Sequence, residues 1–544
     1  MNMKRLLAIG AVALLLQATA TAAAQLILGG ELSNSAATSV EDIDEVMPRM
    51  ARLGLNTVLV PAYWELTEPE EGVFDFTLID RTIDRARENG LKVVFLWFGA
   101  WKNSMSCYAP AWFKQDTRRF PRAMTRQGKP LEIASAFSSS VLQADLKAFT
   151  ALMEHLKEKD GDTGTVVMMQ IENEVGMLES ARDHAPLALR AWRNDGETAD
   201  GDPYAEERFM ARHYARYVEQ LARAARSIMP AMPLFVNAAL NSRGRKPGEY
   251  PSAGPLAHLY DIWHAEAPTI DMLCPDIYDT GFKQWAALYA MPRRPQDGDS
   301  AVRNRLFIPE SRCCPASGAR ALYVVGEHQA LGFSPFAIDQ APEQDTRSIT
   351  QAYTLLRQIE NYQTANGLSV TNKSANRKSV NRTSSWGLLF DQQDRERIID
   401  DEGVLMTCRH YFTLPWDPRA TDGSPWPEGG ALLLRIGKHD YLLAGNAVVV
   451  DFKTRTEYEQ QEQQKQLGED GFAQGGATPP QPTAPQPSFR GKRLGLLAVD
   501  EVSIDAQGRI IPLRRHNGDQ THQGRHARIG ADEWKILHIR LYEY

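Results

Sequence analysis

Eight short apolar runs, separated by helix-like stretches, fill the chain from Gln25 to about Leu368. They are LILGGEL (26–32), TVLVPAYWEL (57–66), KVVFLWFGAW (92–101), TVVMMQIENE (165–174), PLFVNAAL (233–240), IDMLCPDIY (270–278), RLFIPES (305–311) and ALYVVGEH (321–328). Near-continuous apolar strands alternating with helices specify a parallel sheet covered on both faces. Eight such units in this length predict an α/β fold, a (β/α)8 barrel. Two of the intervening helices are legible in detail. VEDIDEVMPRMARLG has apolar positions at helical spacing and a glycine stop, and FTLIDRTIDRARENG has the same form. An open doubly wound sheet would carry a glycine-rich phosphate loop after its first strand, and GGELSNS does not fit that loop.

After about residue 370 the pattern changes. NKSANRKSVNRTSS is polar and reads as a linker or surface loop. Beyond it, GALLLRIG, DYLLAGNAVVVDF, GLLAVDEVSID and WKILHIRLYEY alternate with period two, which predicts an antiparallel β domain, sandwich-like. The expected division is 25–370 for the barrel and 371–544 for the β domain. A low-complexity loop near 458–490 lies inside the latter.

At 544 residues the chain is long enough for two or three domains, and a net charge of -7 gives no basic footprint for nucleic acid. Residues 1–24 have the form of a secretory signal peptide. Lys4 and Arg5 precede a short apolar run from Leu6 to Leu16, and Ala22-Ala23-Ala24 offers a small-residue cleavage site. A periplasmic or secreted protein is expected, with no membrane partner. Five cysteines (Cys107, Cys274, Cys313, Cys314 and Cys408) leave at least one thiol free or paired between chains, and their spacing matches no metal motif. Cys313 and Cys314 follow the seventh run and are placed to bridge to another loop.

Two of the strands end in a carboxylate: MMQIENEVG at Glu174 and LFIPES at Glu310. A charge ending an apolar strand is costly unless solvated or paired. Barrel active sites lie at the C-terminal ends of the strands. A pair of carboxylates there is the apparatus of glycoside hydrolysis, in which one protonates the leaving oxygen and the other attacks the sugar or activates water. Glu174 is read as acid/base and Glu310 as nucleophile. Strands four and seven face each other across the barrel mouth, which predicts a close pair and retention of configuration. Glu327, ending the eighth run, competes with Glu310 but reads better as a structural carboxylate. Glu172 alternates to the other side of its strand from Asn173 and reads as a packing residue.

The segments QIENEVG, LFIPE and WFGAWKNSMSCYAPAWF together resemble the clan A glycoside hydrolases, in particular family 35 and its relative family 42, the β-galactosidases. The resemblance spans the barrel. It implies Glu174 as acid/base, preceded by Asn173 as the ligand of the sugar 2-OH, and Glu310 as nucleophile. The C-terminal part looks like a poorly characterised domain found behind a bacterial branch of family 35, whose members include enzymes that trim galactose from plant cell-wall polysaccharides such as xyloglucan. Two positions depart from the family pattern. Val175 stands where a Tyr follows the acid/base. Asn103, counted back without gaps from Pro110, stands in the third-strand sugar loop where family 35 commonly has Glu.

The reading is a retaining exo-β-galactosidase that needs no cofactor or metal. Its expected partner is a carbohydrate substrate, with a homodimer compatible with it. Asn103, Trp101, Tyr278, Trp64 and Phe336 are candidate sugar contacts beside Asn173, because aromatic faces stack on sugar C–H faces. The alternatives are a clan A glycosidase of other specificity (an arabinosidase, a glucosidase or an endo-acting enzyme), and a carbohydrate-binding protein without catalysis.

Overall fold

The computed structural model describes residues 25–196, 198, 201–290, 304–368, 384–462 and 491–544. The leader-like segment, most of the polar linker and most of the low-complexity stretch lie outside the described residues.

Eight parallel strands close into a barrel. They are β1 Ile27–Glu31, β2 Thr57–Tyr63, β3 Lys92–Phe98, β4 Val166–Gln170, β5 Leu234–Ala239, β6 Met272–Ile277, β7 (Phe307–Ile308 and Glu310–Ser311) and β8 Gly332–Phe333. Closure runs through β7. Its first half pairs with β8 and its second half with β6, while β8 pairs with β1. Pro309 lies between the two halves and has no N–H to give a ladder. Glu310 is therefore the first residue past the break, at the C-terminal mouth.

Each strand is followed by a helix that packs around the barrel, α1 Val40–Arg52, α2 Thr77–Glu88, α3 Ser139–Asp160, α4 Ala205–Ile228, α5 Tyr260–Glu266, α6 Phe282–Tyr289, α7 Ser317–His328 and α8 Glu343–Ala365, with shorter helices in the loops at Trp64–Thr67, Ala111–Gln115 and Pro186–Asn194. Local signals set their ends. The Ser39 hydroxyl accepts the Asp42 N–H at 3.1 Å to cap α1, and Gly54 and Gly90 follow α1 and α2 with φ of +80° and +68°. No described helix is long and apolar enough to cross a membrane.

The expected barrel is present, with one correction. ALYVVGEH is helix α7, and the eighth strand is the short Gly332–Phe333 beyond it. The run looks like a strand because α7 is buried almost all round, from Ser317 to Gly326. A helix covered on every side loses the polar stripe that marks amphipathic periodicity.

What covers α7 is the C-terminal domain. Its first sheet has the order β9-β12-β13-β18-β15-β16, with β9 Ser385–Phe390, β12 Gly429–Gly437, β13 Asp440–Asn446, β15 Leu494–Ile504, β16 Ile510–His516 and β18 Lys535–Glu543. Its second sheet has the order β10-β11-β14-β17, with β10 Glu396–Asp401, β11 Val404–His410, β14 Val448–Thr454 and β17 His526–Ile529. All pairings in both are antiparallel. One face of the first sheet (Leu432, Leu434, Leu442, Ile536) joins the barrel core, and the other (Leu433, Leu443, Leu537, Ile539) packs with Met406 and Val450 of the second sheet. The contact on α7 is close. A Cβ on Gly387 would lie 2.1 Å from the Tyr323 carbonyl oxygen. Ion pairs Glu327–Arg397 (2.7 Å) and Arg320–Glu428 (2.5 Å) join the helix to the domain. Glu327 is thus a structural carboxylate on a helix, away from any strand end.

Candidate active site

Five charged side chains converge at the C-terminal mouth: Glu31 ending β1, Lys102 after β3, Glu174 after β4, Asp276 on β6 and Glu310 on β7. One carboxylate oxygen from each of Glu174, Asp276 and Glu310 lies within 4.8 Å of the others. Glu31 and Lys102 interact electrostatically with both Glu174 and Glu310. The two carboxylates singled out from the sequence are therefore brought together, with a third, Asp276, beside them.

The loop carrying Glu174 is strained and tightly held. Glu172 and Glu174 both adopt left-handed backbone, with φ of 57° and 43°, which costs non-glycine residues on the order of 1–3 kcal/mol each. Hydrogen bonds fix it. The Glu174 N–H donates to Asn237 Oδ1 at 2.9 Å, and Asn237 Nδ2 donates to Asn173 Oδ1 (3.0 Å) and Asp276 Oδ2 (2.7 Å). Gln170 Nε2 donates to Asn173 Oδ1 at 2.7 Å, and Asn173 Nδ2 donates to the Lys102 carbonyl at 2.8 Å. Asn173 has no exposed surface, so its amide here ties β4 to the β3 loop. Glu172 lies behind, fully buried, accepting the N–H groups of Ala100 (3.3 Å) and Trp101 (2.8 Å). Its packing role is as expected from strand alternation. Burial and the neighbouring Asp145 charge hold Glu172 well above the usual carboxylate range. Asp145 in turn accepts from Trp97 Nε1 (2.9 Å) and the Tyr217 hydroxyl (2.7 Å).

The electrostatics divide the central pair. Burial and the Glu310 charge push Glu174 up to about 7, against the opposing pull of Lys102. Burial also raises Glu310, but Lys102 and the Tyr278 phenol, which donates to Glu310 Oε1 at 2.5 Å, work the other way. Asp276 is held well above its usual range by burial and the surrounding carboxylates, Glu310 foremost. Glu174 can hold a proton at neutral pH, and Glu310 has the Tyr278 phenol as a hydrogen-bond donor to its charged form. That is the asymmetry a proton donor and a nucleophile require.

Of the aromatic candidates, only Tyr278 touches the central pair by a hydrogen bond. It is 40% exposed, so its ring is open to solvent. Trp64 begins a short helix, donates to Glu68 at 2.8 Å and packs among Trp97, Trp112 and Phe113. Trp101 is buried with its ring against the edges of Tyr214 and Tyr217. Neither tryptophan has exposed surface to offer a sugar, so both are corrected to core residues. Phe336 is half-buried at the mouth, its N–H donating to the Ser311 carbonyl at 2.8 Å. Asn103 is half-buried in the loop after β3. Its oxygen accepts from the Met105 N–H (2.9 Å) and the Ser106 hydroxyl (3.1 Å), closing its own turn. The neighbouring Lys102 is the residue of that loop in the charged cluster.

Glu31, Lys102 and Asp276 were missed from the sequence. The signal was present: LILGGE, WFGAWK and MLCPD each carry an apolar strand into a charge, as do the Glu174 and Glu310 strands. All five cysteines are free, so Cys313 and Cys314 form no bridge.

Comparison with known proteins gives a β-galactosidase resemblance that covers Lys102 and Glu174 of this cluster, while Glu31, Asp276 and Glu310 lie outside the matched residues. Residues 34–239, from the end of β1 through β5, match the Beta-galactosidase model of glycoside hydrolase family 42. The resemblance read from the sequence as family 35 is corrected to family 42, the relative named beside it. Residues 349–528 match a domain of unknown function, DUF5597. Among solved structures, the chain is similar to the beta-galactosidase of the Antarctic haloarchaeon Halorubrum lacusprofundi (18% identity, TM-score 0.45, 60% of this chain and 57% of that one). It is similar also to that of the psychrophilic Marinomonas ef1 (15%, TM-score 0.46, 63% and 60%). A third is Gan42B, a GH42 beta-galactosidase from G. stearothermophilus (17%, TM-score 0.46, 64% and 58%). The chain spans less than two thirds of the length of each of these three structures.

Proposed function

We propose that the chain is a retaining exo-β-galactosidase that removes terminal β-galactosyl residues, acting outside the cytoplasm on oligo- or polysaccharides such as plant cell-wall side chains. The observation that carries the reading is the spacing of Glu174 and Glu310, whose nearest oxygens lie within 4.8 Å. Retaining enzymes hold their carboxyl groups about 5–5.5 Å apart, and inverting ones leave about 6.5–9.5 Å for a water. The family 42 match over 34–239 supports the sugar.

The chemistry follows from the geometry. Protonated Glu174 gives its proton to the glycosidic oxygen while Glu310 attacks the anomeric carbon from the opposite face. The C–O bond to the leaving group breaks and an ester to Glu310 forms. Once Glu310 carries no charge, ionised Glu174 takes a proton from water, the hydroxyl oxygen attacks the same carbon, and the ester bond breaks to release Glu310 as a carboxylate. Tyr278 steadies Glu310 as a carboxylate and again as the leaving group.

A panel of chromogenic glycosides, with the first-formed anomer followed by NMR, tests this. Fastest turnover of the β-galactoside with β-galactose formed first is expected. An α anomer formed first removes retention. Faster hydrolysis of an arabinoside or glucoside moves the enzyme to another sugar, and no hydrolysis at all leaves a binding protein.

A further inference from the structure

Lys102 is a largely buried residue at the mouth of the barrel. Only 7% of it is exposed, and its ammonium makes no hydrogen bond or ion pair among the described residues, so no carboxylate oxygen there lies within 4.0 Å of it. It rests 5.1 Å above the Phe98 ring. Its backbone is pinned on both sides. The N–H donates to the Ser106 carbonyl at 2.9 Å, and the carbonyl accepts from Asn173 Nδ2 at 2.8 Å. Its ammonium keeps access to solvent at the mouth, because it is not among the sealed-off polar atoms, so a ligand acceptor can reach it.

Glu31 presents the matching case. It is 1% exposed, its Oε1 has no partner, and its backbone is fixed by the Pro335 carbonyl at 2.9 Å. Glu31 and Lys102 feel each other's charge but stand more than 4.0 Å apart. A sugar hydroxyl is both donor and acceptor, so two adjacent hydroxyls fit such a gap.

We propose that Lys102 and Glu31 are a specificity-determining pair. Lys102 donates to one sugar hydroxyl and Glu31 accepts from its neighbour in the unit held against Glu310. The proposal rests on the glycosidase reading of the same site and adds which residues read the sugar.

The test compares wild type, Lys102→Met, Lys102→Arg and Glu31→Gln. Each is assayed on p-nitrophenyl β-galactoside and its 3-, 4- and 6-deoxy analogues, together with direct binding of galactose and the monodeoxy galactoses. Lys102→Met is expected to lose about 10²-fold or more in kcat/KM on the parent, as a site built around a substrate hydroxyl does when the contact is lost. On one deoxy analogue the loss should shrink below about 3-fold, the mark of a shared contact. Glu31→Gln should show the same pattern at the adjacent carbon. Equal losses on all four substrates with a displaced pH profile would make Lys102 a charge-balancing group and overturn the proposal. Equal losses without displacement, or no loss, would also overturn it. If Lys102→Met does not fold, Lys102→Arg decides. Its longer reach should change which analogue is discriminated, and an unchanged ranking counts against the pair. Wild type that binds galactose with the same deoxy dependence but hydrolyses nothing would sink the glycosidase reading and leave this one standing.

Discussion

The Glu174 N–H donates to the side-chain oxygen of Asn237 at 2.9 Å, and this bond ties the left-handed backbone of Glu174 to the neighbouring strand. The same amide holds Asn173 and Asp276. Asn237 is thus the joint between β4, β5 and β6 at the mouth. Asn237→Ala should lower kcat by about 10²-fold with little change in KM, as expected when a catalytic group is misplaced by about 1 Å. Steady-state kinetics on a chromogenic β-galactoside checks this, and a change confined to KM would assign Asn237 to substrate binding.

The roles of the two carboxylates separate under chemical rescue. Glu174→Ala should still release a good leaving group such as dinitrophenol, then stall as the covalent intermediate. Azide needs no general base, so it should restore turnover and yield a β-galactosyl azide. An α-configured azide would reverse the assignment.

Glu310→Gln should abolish covalent labelling by a 2-fluoro galactoside and reduce turnover by about 10³-fold or more. Glu327→Gln should label normally, since Glu327 is on α7, paired with Arg397 at 2.7 Å. Peptide mapping of the labelled wild-type protein distinguishes the two sites.

The pH profile should fall on its alkaline side near pH 7, because Glu174, raised to about 7, must be protonated for the first step. The acidic side reports Glu310. Removing the phenol that lowers Glu310 takes away stabilisation of its charged form, so Tyr278→Phe should move the acidic limb to higher pH. The raised carboxyls also act on stability. The folded chain binds more protons than the unfolded one as pH rises from about 4.5, the ordinary Glu value, to about 7, the folded value of Glu174. That contribution to stability is therefore lost across this interval. Glu174→Gln should raise Tm at pH 7.5 and change it little at pH 4, as read by calorimetry.

Gly387→Ala tests the buttress on α7. The added carbon would meet the Tyr323 carbonyl oxygen 2.1 Å away, and a backbone oxygen cannot swing aside. A loss of about 2–3 kcal/mol in denaturant unfolding is expected from such overpacking. An unchanged midpoint would mean that the sheet does not press on the helix.

The sequence by itself determined the repeat of apolar run and helix, the ends of α1 and α2, the two-period strands of the second domain, and Glu174 and Glu310 as strand-end charges. These are local patterns, set by side-chain period and by the cost of a charge at the end of an apolar run. Tertiary structure alone decided the rest. Helix α7 reads as a strand because the C-terminal sheet buries its outer side, which removes its polar face. Trp64 and Trp101 sit near strand ends, but packing encloses both. Whether Lys102 or Asn103 joins the site depends on a turn closed between Asn103 and Ser106, a one-residue matter that no ungapped count resolves. Glu31, Asp276 and Glu310 are far apart in the chain and become neighbours only when the barrel closes at Pro309. That closure turns isolated strand-end charges into one cluster whose members set each other's protonation.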